Sequence, residues 1–213
     1  MIGELASPEI SGALKDTSIL CLPLGAIEQH GAHLPLDTDV TVAEGLTRRI
    51  VARWGDEFDL WQLPTFALGL SREHDWAPGT LSLSIQGFAA LLRDLAGTMV
   101  RALPARNLAI VNGHGGRSET SVMLALAPDL VRRDLIGAAG EGTDAAAIRA
   151  LIFDRGVSFP WRTDDPRLAL GGIIGNARAA SADLGQAIID SIVAEAGGVL
   201  ARLLENQKLV PQR

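Results

Sequence analysis

The stretch from Cys21 to Asp39, CLPLGAIEQHGAHLPLDTD, restricts the possible folds more than any other part of the chain. The apolar run Ser18 to Leu24 that leads into it has the composition of a buried strand, and it stops at Gly25. Glu28, His30, His33, Asp37 and Asp39 then follow in close succession. In an extended backbone, side chains two residues apart leave the same face, so Glu28 and His30 project together. Gly31 and Pro35 turn the chain and let Asp39 return towards that face. Imidazoles mixed with carboxylates suit zinc, manganese or iron, whereas calcium prefers an all-oxygen shell. The competing reading is a polar loop with helix-capping Asp residues and a solvated histidine.

Around this stretch, the chain has the material for one domain. Its 213 residues, 47 % of them apolar, can bury a sizeable core. A net charge of −6, the absence of Tyr and the lack of any Lys/Arg cluster argue against a nucleic-acid surface. No apolar run reaches membrane-spanning length, and Met1-Ile-Gly-Glu lacks the basic start of a signal peptide. A cytoplasmic protein without a membrane partner is therefore expected. The one cysteine, Cys21, falls inside the predicted strand, which excludes a disulfide scaffold and favours a core role over a nucleophilic one.

Hydrophobic spacing predicts the remaining elements. Ser7-Pro8-Glu9 begins a helical turn, Asp39 to about Trp54 is helical with Gly55 as its stop, and Phe58–Phe66 is a second strand. A polar loop, Gly69–Thr80, leads through a short alternation at Leu81–Ile85 into an amphipathic helix over Gln86–Ala102. Asn107–Val111 is a further strand, and Ser118 caps a helix running through Leu126 that ends near Pro128. Helices are also expected at Ala145–Phe153 and Asp183–Leu204, with an irregular segment at Phe159–Asp165 between them. Strands separated by helices and loops indicate an α/β fold: a three-layer sandwich whose mainly parallel sheet is flanked by helices.

All four histidines, His30, His33, His74 and His114, lie in glycine- or proline-containing loops that follow apolar segments. In open α/β sheets such loops sit at the carboxyl ends of the strands, where ligands bind. The glycines around His114 allow a tight turn that carries the imidazole close to a metal. GHGG lacks the GxxxxGK[ST] pattern of a phosphate loop, and no G-x-S-x-G serine elbow is present. The loop carrying His74 and Trp76 is placed to cover a substrate, although Trp76 also fits ordinary packing. Glu119 has two roles open to it: a proton donor, or a first-turn acid favoured by the helix dipole.

Two of these segments, LPLGAIEQHGAHLPLDTD and VNGHGG, resemble the signature motifs of the creatininase family. The similarity continues through SREHDWAPGTLSLS, SETSVMLALAPDLV and GNARAASADLG, and so covers most of the chain. The resemblance implies an α/β metal-dependent amidohydrolase, commonly with two divalent ions (Zn, Mn or Fe) and often oligomeric. It implies Glu28, His30, Asp39 and His114 as metal ligands, with Asp39 bridging. The family's substrates are small cyclic or formylated amides and, in one branch, a peptide. In hydrolysis of such a bond the departing nitrogen needs a proton, for which Glu119 and His33 are the candidates, with His74 and Trp76 holding the substrate.

Two departures stand out. Creatininase itself has a glutamate two residues after the histidine of the NGH motif, and here that position is Gly116. Relatives also carry two separate glycine-rich segments, NGHGG and a later HGGxxETS, whereas here Asn112–Ser121 reads NGHGGRSETS. The two segments look joined at a shared HGG, with a helix and a strand lost between them. Loss of a strand would uncover apolar surface beside Asn107–Val111, so a homo-oligomer with its interface there is expected. The joined motif also keeps open a second reading, a catalytically impaired metal-binding homologue with a structural or partner-binding role.

Overall fold

A computed structural model describes residues 1–114, 118–138, 162–164, 173 and 176–209 of the chain. The expected helix at Ala145–Phe153, most of the irregular segment at Phe159–Asp165 and the centre of the joined motif lie outside the described residues.

Three parallel strands form the described sheet: β1 (Ile19–Leu24), β2 (Leu60–Gln62) and β3 (Asn107–Asn112), in the order β2-β1-β3. Ile19 is in register with both Leu60 and Asn107, and Leu24 with Asn112. The period of two in β1 directs its side chains to opposite layers. Ile19 and Cys21 pack with Ile50, Leu60 and Leu200, beneath α2 (Thr38–Phe58) and the long C-terminal helix α5 (Ala182–Leu209). Leu20 and Leu22 pack the other way with Leu14, Leu63, Met99 and Ala105, under α3 (Ile85–Ala102) and the N-terminal segment that holds the short α1 (Ile10–Ala13). Helices on both faces of a parallel sheet make the α/β three-layer arrangement expected from the sequence. Burying an Ile or Leu of this kind contributes about 1.5–3 kcal/mol. A third cluster joins α2 to α4 (Glu119–Leu126) and α5 through Leu46, Met123 and Ile189.

Boundaries differ from the sequence expectation where local geometry overrides spacing. Gly55 does not end α2; the helix continues to Phe58, which packs with Ile50 and Leu60. Asp59 turns the chain in the left-handed region, at φ 49°, and its N–H binds the Gly55 carbonyl. The second strand shrinks to Leu60–Gln62 because Pro64 has no N–H to continue the ladder; the chain still returns to β1 through a bridge between Leu24 and Phe66. The alternation at Leu81–Ile85 yields one antiparallel bridge, Ile27 to Leu81, and Ser84 caps α3 by accepting the Gly87 N–H. Ser118 is the N-cap residue of α4 but makes no capping bond with its side chain.

Cys21 is buried in the sheet, and burial pushes its thiol up to about 11, in keeping with a core role. Among the described residues no helix is long and apolar enough to cross a membrane. On β3, one of the two outer strands of the described sheet, Ile110 is 46 % exposed.

Candidate metal centre

The chain leaves β1 for β2 on one side and later places β3 on the other, so the sheet has a switch point between β1 and β3. Ligands bind at such points, beyond the carboxyl ends of the strands. Gly25 follows β1 and Gly113 follows β3, and both lie against the first turn of α2. A Cβ at Gly25 would come within 2.6 Å of the Val40 Cα, and one at Gly113 within 2.1 Å of the Asp39 carbonyl oxygen. Only residues without a side chain let the helix start this close to the strand ends. That contact carries Asp39 into the crevice.

Asp39 is fully buried, and its two oxygens face two imidazoles: Oδ1 lies 3.1 Å from His30 Nε2 and Oδ2 3.0 Å from His114 Nδ1. Glu28 Oε1 lies 3.2 Å from His114 Nδ1, 3.5 Å from His74 Nε2 and 3.7 Å from His30 Nε2. Glu119 Oε2 approaches His30 Nε2 at 3.6 Å, and Glu73 Oε1 approaches His114 Nε2 at 3.2 Å. Two groups of donor atoms lie within 4.8 Å of one another: Glu28, His30 and Asp39 in one, and Glu28, Glu73 and His114 in the other.

The donor chemistry fits a cation. Four carboxylates converge on three imidazoles, and the Glu28 Oε2 atom is buried with no hydrogen-bond partner among the described residues. An ionised carboxylate in such surroundings is costly unless a positive charge accompanies it. Protons are recruited to supply that charge. Burial opposes protonation of His30, but its bond to Asp39 and the charges of Glu119, Asp39 and Glu28 outweigh it and hold the ring up to about 9. His114 is pushed to about 12 against burial by its bonds to Asp39, Glu28 and Glu73. Burial, with the nearby charges of Asp39 and Glu28, pushes Glu119 up to about 7 although His30 pulls it down. Asp39 and Glu73 fall below the usual carboxylate range, since the histidines outweigh the burial of each. A divalent ion can replace these protons, and metal binding at such sites releases them. The His30 ring is oriented for the exchange: Nδ1 meets the Glu28 carbonyl at 3.0 Å, which can only accept, so Nε2 is the nitrogen left to coordinate.

The structure brings together Glu28, His30, Asp39, His114, His74 and Glu119 from the sequence candidates. His33 and Trp76 are hydrogen-bonded to threonines rather than to the carboxylates of the cluster. His33 is buried with Nε2 paired to Thr120 Oγ1 at 2.9 Å, and its Nδ1 has no partner among the described residues. Burial and the neighbouring His30 hold it below the ordinary histidine value. Trp76 donates its indole N–H to Thr163 Oγ1 at 3.0 Å. Glu73 is a member that sequence reasoning missed. It stands beside His74 in a single 3-10 turn, Arg72–His74, where no periodicity marks a functional face.

The sequence profile of the family described as "Creatininase: Creatinine amidohydrolase" matches residues 3–118 and 113–200. The chain belongs to the creatininase family. The two matched stretches overlap at residues 113–118, inside the segment where the two glycine-rich motifs look joined. A mycofactocin precursor peptide peptidase of Mycobacterium tuberculosis is 39 % identical over 123 residues, covering 54 % of this chain and 48 % of that protein. Creatinine amidohydrolase of Pseudomonas putida is 29 % identical over 140 residues, covering 63 % and 51 %. The chain thus spans about half the length of the curated relatives it matches. Among solved structures, one titled "Creatininase Mn" superposes with a TM-score of 0.72 at 23 % identity, covering 96 % of this chain and 97 % of that one. That likeness establishes the creatininase fold.

Proposed function

We propose that this creatininase-family chain is a metal-dependent amidohydrolase that cleaves the C–N bond of a small cyclic or formylated amide. The observation that carries the reading is the buried Asp39 carboxylate, which offers one oxygen towards His30 and the other towards His114. Glu28, His30 and Asp39 would hold one ion, and Glu28, Glu73 and His114 a second; zinc, manganese and iron all suit this mixture of donors. A bound ion of this kind supplies hydroxide near neutral pH by lowering the pKa of its water to about 7.

The chain's own groups account for the remaining steps. Asp39 spans the two histidines and fixes their separation. Glu119, at the start of α4 with Oε2 directed at the cluster, carries the proton that the departing nitrogen requires. His33 is less well placed for that transfer, because its Nε2 is committed to Thr120. His74 faces the cluster through Nε2 and contacts the substrate, while Trp76 supports the same loop through Thr163. The exposed Ile110 on β3, an edge strand among the described residues, supports a second copy of the chain as its cover, checked by the mass in solution: a dimer or larger assembly is expected, and a monomer would remove this part of the proposal.

A peptidase activity is the second reading, favoured by the 39 % identity to a precursor peptide peptidase. One experiment addresses both. Metal content is determined, and cyclic amides, formamides and short peptides are assayed with added manganese, zinc and iron. Metal-dependent cleavage of a non-peptide amide is expected. Cleavage of peptides alone would establish the second reading. Bound metal with no turnover at all would identify a catalytically silent homologue.

A further inference from the structure

His74 and His30 both turn a ring nitrogen towards Glu28, yet their other nitrogens are held in opposite ways. His30 Nδ1 faces a carbonyl oxygen and must donate to it. His74 Nδ1 lies 2.7 Å from Gln29 Nε2 and 2.8 Å from Thr163 Oγ1. The orientation of the Gln29 amide follows from its other end, which receives the Gly31 N–H at 2.9 Å and must therefore be the oxygen. The end facing His74 is then an NH2 group, which only donates. A proton on Nδ1 would meet that group hydrogen to hydrogen, so Nδ1 is bare. The Thr163 hydroxyl has one proton and two acceptors within reach, the Glu73 carbonyl at 3.0 Å and His74 Nδ1 at 2.8 Å. The Thr163 backbone N–H already serves that carbonyl at 3.0 Å, so a bare Nδ1, the nearer acceptor, draws the hydroxyl proton. Thr163 is buried, and the Trp76 indole N–H closes its remaining side. With Nδ1 bare, the proton of the neutral ring sits on Nε2, the nitrogen 3.5 Å from Glu28 Oε1.

We propose that Gln29 and Thr163 are positioning residues that lock His74 in its Nε2–H tautomer, so that His74 serves as a hydrogen-bond donor for a carbonyl oxygen of the substrate rather than as a metal ligand. This rests on the amidohydrolase reading for the identity of the acceptor, but the tautomer stands on the hydrogen bonds alone. A neutral donor fixed beside the metal-binding carboxylates is placed where negative charge develops on the oxygen of an amide under attack. An imidazole with a bare Nε2 in the same position would compete for metal and repel that oxygen.

The test is long-range 1H–15N correlation spectroscopy on the full chain with 15N-labelled histidine, first free of metal and then with zinc alone. His74 is expected to show a protonated Nε2 and a bare Nδ1 in both states, while His30 changes on adding zinc. Gln29→Glu replaces the donating NH2 by an acceptor and is expected to move the proton to Nδ1. Thr163→Val is expected to weaken the preference and Thr163→Ser to restore it. For a substrate found in the amide panel, Gln29→Glu is expected to reduce kcat on the order of 100-fold, the size of losing one oxyanion donor. A protonated Nδ1 in the wild-type protein, or a His74 Nε2 signal that shifts to a zinc-bound position, would overturn the proposal. The locked tautomer in a protein that cleaves no amide would uphold the positioning role and count only against the amidohydrolase reading.

Discussion

The two donor groups of the centre share Glu28 but are built differently. Glu28, His30 and Asp39 come from one continuous stretch after β1, and all three are buried. Glu73 and His114 reach Glu28 from two distant loops, and both are half-buried. A buried group drawn from one turn is positioned by backbone that folds with the sheet. The other group depends on docking of the Ser71–Thr80 loop, which Thr163 ties down through Glu73, His74 and Trp76. The inner site should therefore bind metal more tightly, and the outer one should exchange with solvent and meet the substrate.

Glu28→Gln tests what the two groups have in common and should have the largest effect. Both lose a charged oxygen, so metal content measured by elemental analysis should fall at both sites, with activity lost. Loss from one site alone would show that Glu28 belongs to a single group.

The next pair separates the groups. Glu73→Gln should weaken or empty the outer site while the inner one stays filled, and His30→Ala should do the reverse. Two dissociation constants resolved by titration in the wild type should become one in each variant. Equal losses in both variants would mean that the two groups act as one site.

This division also governs what could be read from the sequence. Glu28, His30 and Asp39 were legible because a strand, a glycine and a turn bring near neighbours together. His114 was legible from its glycines after a strand. Glu73 was not, since its approach to His114 depends on how two loops meet across the end of the sheet. Thr163 and Gln29 reach His74 through side-chain hydrogen bonds, for which the sequence has no spacing signal. In the fold, the strands and main helices followed from hydrophobic spacing. The end of α2 did not, because packing of Phe58 outweighed the helix-breaking tendency of Gly55.

A smaller effect concerns pH. In the metal-free protein His30 is held up to about 9 from an ordinary 6.5, and His114 to about 12. A raised folded-state value contributes stability that is complete below the unfolded value and is lost as pH rises through the folded one. Between pH 6.5 and 9 the Tm of metal-free protein should therefore fall. Metal-loaded protein has exchanged those protons for the ion, so its Tm should fall less and the gap should widen with pH. Parallel curves would mean that the ion does not replace the protons.

Asp39→Asn tests the central claim most directly, because the claim rests on one carboxylate spanning both histidines. Metal equivalents per chain should be counted in wild type and variant after the same loading, with circular dichroism to follow the fold. The account predicts loss of at least one equivalent from a protein that remains folded. Unchanged stoichiometry in the folded variant would contradict it.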